Sequence, residues 1–221
     1  MMLKAQLHIH SKEDKIDTLD YSAKEVIDKA VKLNFDVIAF TFHDYLFYPK
    51  EIKEYAEKKG ILLIPGIEKT IEGKHVLIIG LEKIPKINKL RDLKKIHNSA
   101  LVIAPHPFYP KGHSLRDKFF KHADLFHGIE HCFFYNNLLN FNKKAIKTAK
   151  EYNKPLVGTS DVHNLRFFDS TYSLIDSEKN IKSVIDAIKE NKLKIITNPI
   201  SNSSLFFLPV YIILKKIITK K

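Results

Sequence analysis

Short apolar runs rich in Val and Ile recur along the chain, separated by stretches with apolar residues at helical spacing. This alternation predicts β/α units around a parallel sheet. The runs are Leu3 to His8, Asp36 to Phe40, Ile61 to Pro65, Ala100 to Ala104, a weaker Gly128 to Cys132 and Pro155 to Thr159. Late strands at Thr171 to Ile175 and Leu193 to Thr197 complete the pattern. Ser22 and Glu25 form a capping box that opens a helix with the apolar stripe Val26, Ile27, Ala30, Val31 and Leu33. Pro49 and Gly60 bracket a second helix, Lys50 to Lys59. Further helices are predicted at Ile87 to His97, Asn137 to Tyr152 and Ile181 to Asn191. No repeat, low-complexity stretch or long linker divides the sequence, so it reads as a single α/β barrel.

Composition narrows the class without choosing a partner. The 221 residues, 44% of them hydrophobic, suffice for one sizeable core. The formal charge of +12 comes mainly from lysine, the arginines being Arg91, Arg116 and Arg166. It favours anionic partners, whether nucleic acid, small phosphates or a lipid surface. Interleaving with Glu, as in Lys53, Glu54, Glu57 and Lys58, marks solvated helix faces rather than a dedicated basic patch. The single cysteine, Cys132, excludes an internal disulfide, fits a reducing compartment and reads as a small buried residue. Met1 to His8 lacks the pattern of an export signal, so a cytoplasmic location is expected.

The ends of the chain divide it into a barrel over residues 1–200 and an apolar, basic tail over 201–221. Leu205 to Leu214 is strongly apolar but is broken by Pro209 and is shorter than the ~20 residues of a spanning helix. Packing on the barrel is the preferred reading. The other is peripheral membrane contact, aided by Lys215, Lys216, Lys220 and Lys221.

The candidate chemistry lies just past the strands. His8 and His10, two apart at the end of the first run, share one face. Asp161 and His163 repeat the arrangement beyond Pro155 to Thr159, and barrel closure would bring the two pairs together. His43, Glu68 and His106 each follow an apolar run, at the end where barrel enzymes hold their active sites. His75 instead begins the run Val76 to Gly80. A turn at Glu72 and Gly73 would return the chain antiparallel and set His75 beside Glu68. Six histidines and two carboxylates gathered without a cation would compete in one cleft, and a bound metal resolves the conflict. His97, His113, His122, His127 and His131 lack this placement and read as surface or core residues, His131 being the nearest to an exception because it adjoins Glu130.

Taken together, LHIH (His8, His10), TFHD (His43), PGIE (Glu68), HVLIIG (His75), APHP (His106) and GTSDVH (Asp161, His163) resemble the polymerase and histidinol phosphatase (PHP) family of metal-dependent phosphoesterases. The resemblance runs from residue 3 to about 175. It implies a distorted, seven-stranded TIM-like β/α barrel holding two or three divalent ions, zinc, manganese or iron. It also implies that His8, His10, Glu68 and Asp161 hold one ion. His43 and His163 would share a second with a residue of the loop after the first motif, and Glu68 would bridge to a third held by His75 and His106. Two positions depart from the pattern. Lys15 stands where many members have the acidic loop ligand, leaving Asp17, preferred on spacing, or Asp14; Phe42 replaces the usual Asp before the third histidine.

The implied activity is hydrolysis of a phosphate ester, with ions that supply hydroxide at neutral pH and stabilise the charged oxygens. Arg166, close after His163, is a candidate phosphate contact. The partner would be a small phosphorylated substrate or a nucleic acid end, with no stable nucleic-acid complex required. Two rival readings are a metal-dependent C–N hydrolase of amidohydrolase type, and a non-catalytic RNA-binding barrel related to a ribonuclease P subunit. The second rival predicts missing ligands. Oligomeric state is not legible.

Overall fold

The computed structural model describes residues 1–203. The tail readings for Leu205 to Leu214 and its lysines lie outside the described residues. The strands are β1 (Met2–Ile9), β2 (Val37–Phe40), β3 (Leu62–Ile71), β4 (Lys74–Ile79), β5 (Leu101–Ala104), β6 (Gly128–Cys132), β7 (Leu156–Thr159), β8 (Thr171–Asp176) and β9 (Leu193–Thr197). They form one sheet in the order β7-β6-β5-β4-β3-β2-β1-β8-β9. This makes 9 strands rather than the seven that the resemblance implied. The difference arises because β8 and β9 add an antiparallel pair alongside β1. The sheet is also less uniformly parallel than a TIM barrel, since β4 is antiparallel to both its neighbours.

The β3–β4 hairpin follows from its turn. Glu72 and Gly73 have φ of 51° and 74°, as a two-residue turn between right-twisting strands requires. Because β3 goes on pairing with β4 after it leaves β2, Glu68 lies inside a strand rather than beyond one. In β1 the pairing with β2 slips between Gln6 and Ile9. This bulge changes the phase of the strand. Leu3, Ala5 and Leu7 belong to the inner cluster, yet Ile9 packs on the outer one with Ile27 and Phe40, so His8 and His10 turn inward.

Helices α1 (Ala23–Lys32), α2 (Lys50–Lys58), α3 (Asp117–Lys121), α4 (Asn142–Glu151) and α5 (Ile181–Lys189) flank or close the sheet. The reciprocal Ser22–Glu25 cap of α1 is present as expected. Two expected helices are shorter. Ile87 to His97 yields only a 3-10 segment, Leu90–Lys95. There the Asp92 carboxylate takes the amides of Asn88 and Lys89 and fixes the start. Asn137 to Tyr152 becomes helical only at Asn142, because the Asn136 side chain captures the amides of Leu138 and Leu139 and that of Asn140 captures Asn142.

Val184, Ile185, Ala187 and Ile188 of α5 join the inner cluster with Leu3, Val37, Ile79, Leu101 and Ile175. These strand residues all lie at the end of the barrel where β1, β2 and β5 begin, so α5 plugs that end and leaves the other for chemistry. No ladder joins β7 to β8, and two serine hydroxyls take its place. Ser173 Oγ accepts from Gly158 N at 3.0 Å and donates to Gly158 O at 3.1 Å. Ser160 Oγ does the same for Thr171, at 3.1 and 2.9 Å. Near the open end, His10 N donates to Val162 O at 3.1 Å and Val162 N to His8 O at 3.0 Å, stitching the segment beyond β7 directly to β1. No helix among the described residues is long and apolar enough to cross a membrane.

Candidate metal centre

The residues singled out from the sequence converge at the open end. His8 Nε2 lies 3.3 Å from both Glu68 Oε2 and Asp161 Oδ1, and His10 Nε2 lies 3.5 and 3.7 Å from the same two oxygens. Three of these four atoms, His8 Nε2, His10 Nε2 and Asp161 Oδ1, are buried with no hydrogen-bond partner. A tetrahedron of donors about 2.0–2.2 Å from an ion has edges of about 3.3–3.6 Å. The spacing and the unmet valences therefore suit a cation, which would also relieve the cost of burying these groups unpaired.

The other nitrogen of each ring is held from behind. His8 Nδ1 is 2.7 Å from Glu130 Oε1, and His10 Nδ1 is 2.8 Å from Asp14 Oδ2. Such carboxylates fix tautomer and ring orientation at metal sites. Glu130 is itself locked by the amide of His106 and by the hydroxyl of Thr159. Sequence reasoning left Glu130 unassigned, although a charged residue inside the apolar strand β6 was the visible signal.

Two further groupings surround the first. Asp17 Oδ2 is 2.8 Å from His163 Nε2 and 3.3 Å from His43 Nδ1, the partners anticipated for the loop carboxylate. Asp14 is present as well, its Oδ2 lying 3.0 Å from His43 Nδ1 and accepting from His43 N at 2.9 Å. Asp14 thus holds His43 from behind, while Phe42 is buried against Phe40 and Phe47. On the other side, Glu68 Oε1 is 2.8 Å from His75 Nδ1 and 3.2 Å from His106 Nε2. The hairpin return thus sets His75 beside Glu68. Glu68 divides its oxygens, Oε2 facing His8, His10 and His43, and Oε1 facing His75 and His106.

Charge is tightly coupled here. Burial would raise the pKa of Glu68, but His8, His106 and His75 outweigh it and hold the carboxyl well below its usual range. Asp161 is likewise depressed against the effect of burial, by His8, His163 and Lys111. Burial opposes charge on His163, yet Asp161 and Asp17 raise it to about 10. Burial lowers His10 to about 4, aided by His163 and His43. Backbone strain coincides with the site, for His106 has φ of 29° and Asp161 of 39°, values non-glycine residues seldom adopt.

Arg166 is not among these contacts. It is exposed, with its guanidinium carbon 5.6 Å from the centre of the Phe167 ring. The cation that reaches the cluster is Lys111, whose Nζ is 3.6 Å from Asp161 Oδ2. Its signal was faint, one lysine in a loop of unplaced residues. Of the other histidines, His131 is buried on β6 with its ring against Tyr135, and His113 stacks on His75. Cys132 is buried, as expected.

Residues 140–193 match the sequence profile of a family described as PHP-associated (PHP_C). Comparison with curated proteins finds no match. Among solved structures, PsfC from Pseudomonas syringae superposes with a TM-score of 0.65 at 16% identity, covering 98% of this chain and 99% of that one. The lesion-specific endonuclease Q of Pyrococcus furiosus gives 0.59 at 15% identity, covering 88% of this chain but 58% of the endonuclease. A protein described as a metal-dependent phosphoesterase from Bifidobacterium adolescentis gives 0.54 at 14% identity, covering 72% and 87%. An amidohydrolase from Chromobacterium violaceum gives 0.54 at 15% identity, with the same coverage. At these identities the likeness is one of fold.

Proposed function

We propose that this chain is a PHP-domain protein, a reading supported by its PHP-associated segment and its fold neighbours, and a metal-dependent phosphoesterase that hydrolyses a phosphate ester at the convergence of His8, His10, Glu68 and Asp161. The observation that carries the reading is the set of three buried, unpartnered donor atoms aimed at one point from β1 and from the segment after β7. Following the resemblance, two or three divalent ions would be shared among these four and the adjoining His43, His163, Asp17, His75 and His106. Bound there, such ions would acidify water and draw charge from phosphoryl oxygens.

The chain's own residues have distinct tasks. Glu130 and Asp14 hold the imidazoles of His8, His10 and His43 in orientation, and Glu68 offers one oxygen to each side of the cluster. The stitch between Val162 and β1 keeps Asp161 and His163 within reach of His8 and His10. Asp161 Oδ1 faces inward to the histidines, whereas Oδ2 faces Lys111 at the mouth.

Elemental analysis of the purified protein, followed by hydrolysis of an aryl phosphate against a cyclic amide, tests the reading. Metal content with phosphate release supports it. Amide hydrolysis alone would favour the C–N hydrolase, a reading that the amidohydrolase of similar fold keeps in play. The RNA-binding alternative requires affinity that falls steeply with salt and survives removal of metal. The full set of ligand-type residues weighs against it.

A further inference from the structure

Residues 107–116 cross the open end of the barrel between β5 and α3. The loop is closed at its base by Arg116 N donating to Pro107 O at 2.8 Å, with Ser114 Oγ donating to His106 O at 2.9 Å. Its tip is tied to β4, where Lys74 Nζ donates to Gly112 O at 2.7 Å and His75 N to His113 O at 3.0 Å. The His113 ring lies almost flat on His75, centroids 4.5 Å and planes 12° apart. These ties extend Lys111 over the cluster to Asp161, on the far side of the barrel mouth. Of the ion pairs among the described residues that reach Glu68, Glu130 or Asp161, the one with Lys111 alone comes from a lysine or arginine.

The geometry points to Lys111 as a substrate-binding residue that grips a non-bridging phosphoryl oxygen and favours a dianionic phosphomonoester over a monoanionic diester, an assignment that rests on the phosphoesterase reading. Three observations support it. The ammonium meets the outward oxygen of Asp161, not the one facing the histidines, so it stands on the side from which substrate enters. The contact is long at 3.6 Å and the lysine side chain is 54% exposed, so the ammonium is open to an incoming phosphate. Charge balance also leaves room for another cation. Asp14, Asp17, Glu68, Glu130 and Asp161 bring five carboxylates to the site. Against neutral imidazoles, two divalent ions would leave that set net negative by one charge, and three would leave it positive by only one. A dianion gains more from the added lysine than a monoanion does.

The test compares wild type, Lys111→Gln, Lys111→Arg and Arg166→Gln, all loaded with manganese. It measures metal content, calorimetric binding of inorganic phosphate, and kcat and KM on p-nitrophenyl phosphate and bis(p-nitrophenyl) phosphate. Lys111→Gln should weaken phosphate binding and raise the monoester KM by about 10–100-fold, the scale of one hydrogen bond to a charged group. Metal content should change little, the diester KM should rise clearly less than the monoester KM, Lys111→Arg should recover most of the loss, and Arg166→Gln should match wild type. Unchanged phosphate affinity in Lys111→Gln, equal losses on both esters, or a loss that appears in Arg166→Gln instead would overturn the assignment while an active wild type leaves the phosphoesterase reading standing. A wild type that neither binds phosphate nor cleaves either ester would overturn both.

Discussion

His8 Nδ1 stands 2.7 Å from Glu130 Oε1, so the ring can address the cluster only through Nε2. Glu130 comes from β6 and is fully buried, which makes it a positioning residue for a histidine far away in sequence. Replacing it with Gln should lower metal affinity or activity by about 10–100-fold, the usual cost of losing a carboxylate behind a ligating histidine. Competitive chelation with turnover at saturating metal measures both, and unchanged values in Glu130→Gln would remove that role.

His10→Ala and Asp161→Ala should each abolish hydrolysis and reduce bound metal while the barrel stays folded, as read by circular dichroism and elemental analysis. The two side chains approach the same point from opposite ends of the chain. Retained turnover in both variants would contradict the proposed centre.

The pH dependence of stability should reverse on loading with metal. Despite burial, Asp161 and Asp17 raise His163 to about 10, and Asp161, Glu68 and Glu130 raise His8 well above its ordinary value. Raised values contribute stability that is complete below the unfolded pKa of about 6.5 and is lost as pH climbs toward 10. His10, lowered to about 4, adds a loss as pH falls from about 6.5 toward 4. The Tm of chelated protein should therefore fall from near pH 6.5 toward pH 10. Metal requires neutral rings, so affinity for it should rise over that interval. Melting curves with and without manganese that run parallel would refute this.

Much of this site was legible because its residues lie where strand periodicity gives out. His43, His106 and Asp161 follow apolar runs, and the positive φ of Glu72 and Gly73 bears out the turn that brings His75 back. Nine strands were visible as runs, whereas the figure of seven came from the resemblance. What sequence could not supply was long-range pairing. Glu130 and Lys111 acquire their partners His8 and Asp161 through contacts between distant segments, and Asp14, besides its local pair with His10, reaches His43 in the same way. Helix lengths were overestimated where asparagine side chains compete for backbone amides, as at Asn136 and Asn140.

Ser173→Ala should cost about 1–3 kcal/mol, because Gly158 N and O would lose a shared partner inside the wall. Activity per folded molecule should persist, since Ser173 touches none of the cluster. Urea denaturation and specific activity separate the two effects. An unchanged midpoint would mean that the seam between β7 and β8 does not depend on this hydroxyl. A methyl group at Gly158 should be worse, for it would meet Tyr172 O at 2.8 Å.

The slip in β1 between Gln6 and Ile9 decides more than local shape. A strand of the same sequence that alternated regularly from Leu3 onward would keep both imidazoles and swing them toward the helices. The molecule's capacity to collect cations therefore hangs on a single codon's worth of phase. A relative retaining every histidine could be inert for that reason alone.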